Sequence, residues 1–390
     1  MGATQYIQYH ETDEVRMVRE SAQKFTAART DHRRTRALRA QTPAYDPNLV
    51  AEMAGLGWLA ITVPEAHGGL DLGFCALGTV LEETSRGLLC EPLVRAALAA
   101  RLITLSGNDA AAAEMLPAIA SGEAIPSFAW QESPTGDDLL RTSDCRTRAD
   151  DDGNGYRLSG CKHFVDVPAD GGFLVTAHDA TGIALFALDA GAPGVLVQTR
   201  RRADGALQGT LTLEQAPVRH VLARGNVAAL ALERALDEAA VMVCAELCGI
   251  MTFALDTTLE FMRTRVQFER PIGSFQALQH RVVDLYIQRE LAFCAYRDAV
   301  EILETPASPE DRRLAVSRAK SRCASAATRV TLDAIQLHGA IGFTDEHDIG
   351  LYLKRAMTLA VQYGSADTHQ QRCRQVLFPE YEELRTLPTD

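Results

Sequence analysis

Apolar residues recur every three to four positions near the start of the chain. Val15, Val18 and Ala22 follow this spacing, which places them on one face of an α-helix, and Thr12 or Asp13 precedes them as a capping residue. Ala-rich segments further along continue the pattern. The spacing therefore predicts a helical N-terminal region.

The period changes to two in the middle of the chain. Residues 210–214 read Thr-Leu-Thr-Leu-Glu, and residues 183–188 and 195–197 are short apolar runs. Gly, Pro and Asp residues separate these runs. Alternation bounded by turn residues is typical of β-strands, so a central β domain is predicted.

Long segments rich in Ala, Leu, Glu and Arg return in the last part of the chain. Four such segments with short connections predict a helical bundle, and they cover residues 230–264, 277–304, 312–338 and 348–361. The predicted fold class is therefore α+β. Its three domains are an N-terminal helical domain (1–122), a central β domain (123–225) and a C-terminal helical bundle (226–390).

Length and charge agree with a multi-domain protein that does not bind nucleic acid. The 390 residues exceed what one hydrophobic core usually organises. The formal net charge is -12 at pH 7, whereas proteins that track a phosphate backbone need a concentrated basic face. The basic run from Arg200 to Arg202 is interpreted as a solvated turn, because Asp204 follows closely and no aromatic residue is interleaved.

The cysteines and the N-terminus bear on the compartment. The nine cysteines are odd in number and scattered, which favours reduced thiols over a secreted disulfide framework. Cys244 and Cys248 would share one helix face, but no second Cys/His pair stands at ligand spacing, so no metal site is predicted. There is no apolar signal core and no uninterrupted apolar run near the ~20 residues of a membrane span. We therefore expect a cytoplasmic protein without a membrane partner.

Residues 265–280 contain more chemistry than a solvated connection between helices needs. Pro271 and Gly273 end one helix before the next begins, and Arg, Phe and Gln side chains crowd around them. The segment has the pattern R-x-x-F-x-x-P-I-x-x-F-Q-x-x-Q-H at every fixed position. In this it resembles the acyl-CoA dehydrogenase family, flavoproteins whose last domain carries that motif.

Two further segments extend the resemblance over nearly the whole chain. Residues 336–344 are similar to the family's Q-x-x-G-G-x-G-[FY]-T segment, with Ala340 in place of its second Gly, and residues 63–69 are similar to its P-E-x-x-G-G turn. The resemblance implies an N-terminal helical domain, a central β-barrel and a C-terminal four-helix bundle, with FAD between barrel and bundle. No G-x-G-x-x-G segment follows a predicted strand, so a Rossmann site is not supported.

The resemblance also implies which residues bind FAD. Five retained positions would serve the pyrophosphate and adenine end of a flavin that is bound mainly by the neighbouring subunit: Arg265, Phe268, Gln276, Gln336 and Gly339. Phe164 could cover the flavin ring of the chain's own site by stacking. Asp166 stands where the family has a hydroxyl donor to the flavin, and an ionised Asp only accepts hydrogen bonds.

The family's catalytic base is missing. In the family, a Glu removes the α-proton of an acyl-CoA thioester while the β-hydride leaves for the flavin. At the two positions that carry this Glu, the chain has Tyr363 and Ala239. An unperturbed tyrosine, with a pKa of ~10, is a poor base at neutral pH. Carboxylates are commonplace on helices, so four others are only weak candidates for a substitute base: Glu238, Asp367, Asp237 and Glu246.

The half-site that this chain would lend to its neighbour is thus intact, whereas the base and the ring contacts of its own site are altered. This asymmetry resembles heteromeric family members acting on steroid or bile-acid side chains, in which a base-bearing subunit pairs with one that lacks the base. The leading hypothesis is an FAD-dependent acyl-CoA dehydrogenase in which this chain is the base-lacking subunit of an α2β2 heterotetramer.

Three alternatives stay open. One is a homo-oligomeric enzyme that uses another base, such as Tyr363, or that catalyses dehydration or elimination of a CoA thioester. Another is a non-enzymatic interaction subunit that keeps the fold without flavin. A hydrolase built from Ser365, Asp367 and His369 is the least favoured, because the chain has no G-x-S-x-G segment.

Overall fold

The chain is helical towards both ends and carries a β-sheet between them. The computed structural model describes residues 11–378 except 137, 143, 154 and 169. In this part of the chain, the α-helices before the sheet are α1 (Asp13–Arg29), α2 (His32–Leu38), α3 (Pro47–Gly55), α4 (Gly73–Arg86), α5 (Leu93–Ser106) and α6 (Asp109–Ala120). The predicted α+β architecture is confirmed.

Helix α1 begins where the apolar spacing predicts. The Thr12 hydroxyl accepts a hydrogen bond from the Val15 backbone N–H at 3.3 Å, so Thr12 is the N-cap. Asp13 and Glu14 place negative charge at the positive end of the helix dipole. Val15 and Ala22 are buried, as their spacing on one helix face requires.

The strands predicted to form a barrel lie in one sheet. They are β1 (Ser127–Ala129), β2 (Arg148–Asp151), β3 (Tyr156–Asp166), β4 (Phe173–Asp179), β5 (Gly182–Leu188), β6 (Val195–Arg201), β7 (Leu207–Pro217) and β8 (His220–Arg224). Their order is β6-β7-β3-β2-β4-β5-β8, and β1 pairs in parallel with β4. Strands β4 and β5 are buried along most of their length, which explains why residues 183–188 are a continuous apolar run.

Five α-helices follow the sheet in the described chain, one more than predicted. They are α7 (Gly225–Thr264), α8 (Gln276–Glu304), α9 (Pro309–His338), α10 (Ile349–Val361) and α11 (Ala366–Leu377). The short strands β9 (Val266–Gln267) and β10 (Arg270–Pro271) form a hairpin between α7 and α8. Helix α11 escaped prediction because its buried face consists of polar residues, namely Thr368, His369 and Arg372.

Helix α7 is the central helix of the molecule. By length and composition alone it could cross a membrane, with a mean hydropathy of 1.7 over its most apolar 18 residues, but 94% of that stretch is buried inside the protein. Gly249 lets α7 approach α4 closely, since a Cβ at this position would lie 2.1 Å from the Glu82 carbonyl oxygen. The apolar face of α7 is therefore used for packing between helices.

The secondary structure changes at two places along the chain. Helix gives way to strand between Ala120 and Ser127, and strand gives way to helix between Arg224 and Gly225. The predicted domain bounds at 122 and 225 fall at these changes. That the three regions fold as separate domains stays a prediction.

Candidate active site

A cleft lies between the sheet and the C-terminal helices. Its aromatic walls are Phe128 and Trp130 at β1, Phe164 in β3, and Tyr363 between α10 and α11. The cleft has a volume of about 410 Å³. Ligand clefts typically span roughly 300 to 1,000 Å³, so this one can take a small ring system.

A bulge in β3 places Phe164 in the cleft. The pairing of β3 with β7 shifts register between Lys162 and Val165, and Phe164 within this irregularity has φ 56°. Such a conformation is unfavourable for an aromatic residue, and strain of this kind concentrates at functional sites. The ring is 42% exposed and lines the cleft. Its predicted contact with a flavin ring stays a prediction.

Tyr363, predicted to occupy the family's base position, lies in the turn between α10 and α11. Lys320 holds this turn, because its ammonium donates hydrogen bonds to the Ala360 and Gly364 carbonyl oxygens, both at 2.9 Å. Burial raises the pKa of Tyr363 well above its usual range, and the negative charge of Asp166 raises it further. The phenol is therefore protonated at neutral pH, which makes it a hydrogen-bond donor and a poor base.

Asp166 is the one carboxylate that lines this cleft among the described residues. It accepts a hydrogen bond from the Arg202 guanidinium at 3.1 Å. The cleft therefore lacks a free carboxylate within the described chain.

The second predicted base position and its neighbours are buried in α7. Ala239 is buried and carries no base. Glu238 is buried and accepts hydrogen bonds from Arg101 and Arg234, at 2.8 and 2.6 Å. Asp237 is buried beside Arg312 and Arg372, at 3.2 and 2.8 Å. Both carboxylates are thus structural ion-pair partners and line neither wall of the cleft.

The two remaining carboxylate candidates also lie outside the cleft. Asp367 is exposed on α11 and lines a different cavity, beside Arg329 and Leu332 of α9. Glu246 of α7 accepts a hydrogen bond from Arg355 at 2.7 Å and faces a small inner cavity. The structure therefore brings none of the four weak candidates together with Tyr363 in the cleft.

The Ser365, Asp367 and His369 set does not assemble as a hydrolase. The His369 ring is buried, with Nδ1 3.2 Å from the Ser317 hydroxyl and Nε2 2.9 Å from the Tyr363 carbonyl oxygen. Ser365 instead caps α11 by accepting a hydrogen bond from the Thr368 backbone N–H at 3.1 Å. Ser365 and His369 thus have local structural roles, and Asp367 is exposed.

The five residues predicted to serve a neighbour's flavin lie at one end of the bundle. The Arg265 carbonyl oxygen accepts a hydrogen bond from the Ile272 N–H at 2.8 Å, which joins the end of α7 to the segment before α8. The Phe261 and His338 rings lie 4.5 Å apart and join the end of α7 to the end of α9. Arg265, Phe268, Gln276, Gln336 and Gly339 are therefore carried by segments that meet.

These residues present unused donors and ring surface. Arg265, Gln276 and Gln336 are exposed, and their side chains make no hydrogen bond or ion pair within the described part of the chain. Phe268 is 86% exposed and has φ 53°, so its backbone is strained while its ring stays out of the core. A Cβ on Gly339 would meet nothing within 4 Å, so the surface beside it is open.

This donor set fits the pyrophosphate and adenine end of FAD. A guanidinium suits phosphate oxygens, amides suit an adenine edge, and an exposed ring can stack on a base. The cleft fits the flavin ring end less well, because Asp166 offers an acceptor where a donor is expected. The bundle end therefore fits the pyrophosphate and adenine of FAD better than the cleft fits its flavin ring.

One charge network was missed from the sequence. Arg200 is exposed but lies in strand β6 and not in a turn, and Arg202 opens the following turn with its guanidinium largely buried between Asp166 and Asp204. Asp204 also pairs with Arg355 of α10 at 2.9 Å. The solvated-turn interpretation is therefore wrong for Arg202, because tertiary packing brings carboxylates from other elements to it.

A metal centre finds no support in the described chain. No group of three His, Cys, Asp or Glu side chains in these residues is placed to hold a metal ion. Cys244 and Cys248 are both buried in α7. Their thiols pack as small apolar groups.

Comparisons with known proteins agree with this geometry. The family models for the acyl-CoA dehydrogenase N-terminal and C-terminal domains match residues 12–123 and 228–377. Acyl-CoA dehydrogenase IpdE2 of Mycobacterium tuberculosis is 30% identical over 349 residues, which is 88% of this chain and 91% of that protein. IpdE2 of Mycolicibacterium smegmatis is 29% identical over 382 residues, 97% and 99% of the two chains.

A solved structure shows the same similarity in three dimensions. A variant of the Tcur3481-Tcur3483 steroid ACAD superposes with a TM-score of 0.85 at 30% sequence identity. The match covers 95% of this chain and 99% of that one. The similarity therefore includes the sheet and both helical regions.

Proposed function

Because the chain belongs to the acyl-CoA dehydrogenase family, whose members are oxidoreductases acting on CH–CH bonds, we propose that it is the base-lacking subunit of a heteromeric, FAD-dependent acyl-CoA dehydrogenase. One observation carries the proposal. Among the described residues, the cleft has no carboxylate without an ion pair, and the two predicted base positions carry Tyr363 and Ala239, whereas the bundle end keeps unpaired donors that suit FAD. The chain would complete a partner's site with this bundle end.

The proposed division of labour follows from the chemistry of desaturation. When bound, FAD supplies the acceptor for the hydride that leaves the β-carbon of an acyl-CoA thioester. The α-proton needs a carboxylate base, which a second acyl-CoA dehydrogenase subunit would provide. This chain would supply Arg265, Phe268, Gln276, Gln336 and Gly339 to the pyrophosphate and adenine end of that subunit's flavin.

The proposed substrate is an acyl-CoA with a sterol-like or bile-acid-like side chain, and the proposed assembly is a heterotetramer. Support comes from the similarity to a steroid ACAD whose name contains two chains, Tcur3481 and Tcur3483. A cytoplasmic location remains part of the proposal, based on the scattered cysteines.

The test is the flavin content of the chain alone and after co-expression with a base-bearing acyl-CoA dehydrogenase subunit. We expect little flavin on the chain alone and a yellow complex with about one FAD per two chains. Absorbance spectra and native mass measure both. One FAD per chain in a homo-oligomer, together with activity that Tyr363→Phe abolishes, would support the alternative enzyme instead. A colourless protein in every preparation would support a non-enzymatic subunit.

The bundle end is tested in the same complex by Arg265→Ala. Losing a charged hydrogen-bond partner of the pyrophosphate should weaken FAD binding roughly tenfold or more. Arg263→Ala is the matched control, since Arg263 is an exposed arginine on the same turn whose one ion pair is a 3.8 Å contact with Glu260. Equal FAD affinity in both variants, measured by flavin fluorescence, would contradict the assigned role of Arg265.

A further inference from the structure

A small cavity of about 80 Å³, the inner cavity, adjoins the cleft. Charged side chains form much of its wall, where a hydrocarbon pocket would have aliphatic ones: Glu91, Arg95, Asp166, Arg202, Glu246 and Arg355. Arg95, Asp166 and Arg202 also line the cleft, so the two spaces share this wall. A ligand in the cleft can therefore reach the charged wall with one end.

Two of the three arginines that line this cavity have a carboxylate partner. Arg202 pairs with Asp166 at 3.1 Å, and Arg355 pairs with Glu246 at 2.7 Å. Glu91, which also lines the cavity, pairs with Arg34 at 2.7 Å. In each of these ion pairs the two charges neutralise each other. Arg95 is the lining arginine without such a pair.

Arg95 has no carboxylate within 4.0 Å in the described chain. It is 9% exposed, and its contacts are two long hydrogen bonds, to the Val167 carbonyl oxygen at 3.3 Å and the Tyr45 hydroxyl at 3.4 Å. Its guanidinium also lies 5.5 Å from the Tyr45 ring centroid. The buried Nε atom has no partner. Because burial of a charge without a counter-ion is costly, an anionic ligand at this position would remove a standing penalty.

We propose that Arg95 anchors a ligand site for a carboxylate attached to an apolar group. The carboxylate would enter the inner cavity, where a planar guanidinium matches its two oxygens. The apolar group would lie in the cleft along Leu98, Phe128 and Trp130. The rings of Phe128 and Trp130 are stacked, with their centroids 6.5 Å apart. A doubly charged phosphate is disfavoured, because Glu91, Asp166 and Glu246 face the same cavity.

This inference rests on one part of the proposed function, namely that this chain carries no catalytic base. The cleft lacks a base, so a ligand held there would be bound and not desaturated. The carboxylate could belong to a free acid or to the far end of an acyl group on CoA. Both sources present the same anion to Arg95, and the probes below distinguish them.

Binding is measured on the full-length chain by calorimetry with four probes at millimolar concentration. The free acid is 3-cyclohexylpropanoate, with its uncharged amide as the control. The thioester is adipoyl-CoA, with hexanoyl-CoA as the control. We expect an acid to bind and its uncharged counterpart to bind at least tenfold more weakly. Preference for adipoyl-CoA over the free acid would identify an acyl thioester as the source, and the reverse would identify a free acid.

The variant Arg95→Met should lose this preference by tenfold or more, whereas Arg200→Met, at an exposed arginine of β6, should keep it. Arg95→Met should also melt at or above the temperature of the wild-type chain without ligand, because it removes an unpaired buried charge. Equal binding of acids and uncharged controls, no binding of either acid, or a lower melting temperature for Arg95→Met would overturn the proposal. Failure of the proposed function would appear in the flavin content, which is measured separately from ligand binding.

Discussion

At the scale of single residues, surroundings decide what a side chain can do. Tyr363 and Glu132 illustrate how surroundings can raise or lower a pKa. Burial and the charge of Asp166 raise the pKa of Tyr363, which keeps its phenol protonated. Burial also opposes ionisation of Glu132, but the charge of Lys162 and hydrogen bonds from Lys162 and Thr147 outweigh it and hold the pKa of Glu132 at about 2.

The lowered pKa of Glu132 predicts how the stability of the protein depends on pH. Its pKa is depressed from 4.5 in the folded protein, so its stabilising contribution is complete above pH 4.5 and is lost as the pH falls towards 2. Lys162→Met should lower the free energy of unfolding by about 3 to 5 kcal/mol at pH 7, because it leaves a buried carboxylate unpaired. The loss should be clearly smaller at pH 3, where the carboxyl of the variant is protonated.

Urea unfolding at both pH values measures this difference. The double variant Lys162→Met/Glu132→Gln is the control, since it removes both charges and should regain at least half of the lost stability. If the single variant is equally destabilised at pH 3 and pH 7, the ion pair is not the source of the effect.

At the scale of elements, the packing of α7 on α4 depends on small residues. A Cβ on Gly249 would lie 2.1 Å from both the Glu82 carbonyl oxygen and the Ser85 hydroxyl oxygen. Real Cβ atoms do not approach so closely, so the two helices would have to separate. Ser85 itself uses its hydroxyl to donate to the Glu82 carbonyl oxygen at 3.0 Å, which leaves it little freedom to move.

We expect Gly249→Ala to destabilise the chain by about 1 to 3 kcal/mol, although alanine favours a helix by about 1 kcal/mol over glycine. Steric conflict with α4 outweighs the gain in propensity. Gly350→Ala in α10 is the matched control, because a Cβ there meets nothing within 4 Å, and it should stabilise by up to about 1 kcal/mol. Thermal unfolding of both variants tests the pair, and a stable Gly249→Ala variant would contradict the close approach.

At the scale of the whole molecule, one buried charge network joins the sheet to the helices. Asp204, next to β6, contacts Arg202 at 3.5 Å and Arg355 of α10 at 2.9 Å. Burial acts against its ionisation, but the two guanidinium groups prevail and lower the pKa of Asp204. Arg355 continues the network to Glu246 of α7. The cleft and the inner cavity lie where these elements meet.

Asp204→Asn should therefore weaken the junction between sheet and helices. We expect a loss of about 2 to 4 kcal/mol in the free energy of unfolding, since two buried arginines lose a partner. Asp189→Asn is the control, because Asp189 pairs with Arg219 at the surface and should contribute less than about 1 kcal/mol. Chemical denaturation followed by fluorescence measures both, and equal losses would show that the network has no special role.

Most of the architecture follows from local patterns in the sequence. Apolar spacing of three to four residues predicted α1, and alternation predicted the strand β7, because these periods reflect which side chains face a core. Long segments rich in Ala, Leu, Glu and Arg predicted the helices α7 to α10. Helix α11 was missed, since its buried residues are polar and give no apolar period. The motif of residues 265–280 also marks the segment whose Arg265, Phe268 and Gln276 side chains are exposed at the bundle end.

The order of helices and strands and the family resemblance can be read from the chain alone, and so can the prediction that Tyr363 and Ala239 replace the family's Glu. The state of the charged residues depends instead on tertiary packing. Packing pairs Glu238, Glu246 and Asp166 with arginines from distant elements, and it leaves Arg95 buried without a carboxylate in the described chain. Spacing along the chain cannot show this, because the partners are far apart in sequence and meet only when the sheet packs on the helices.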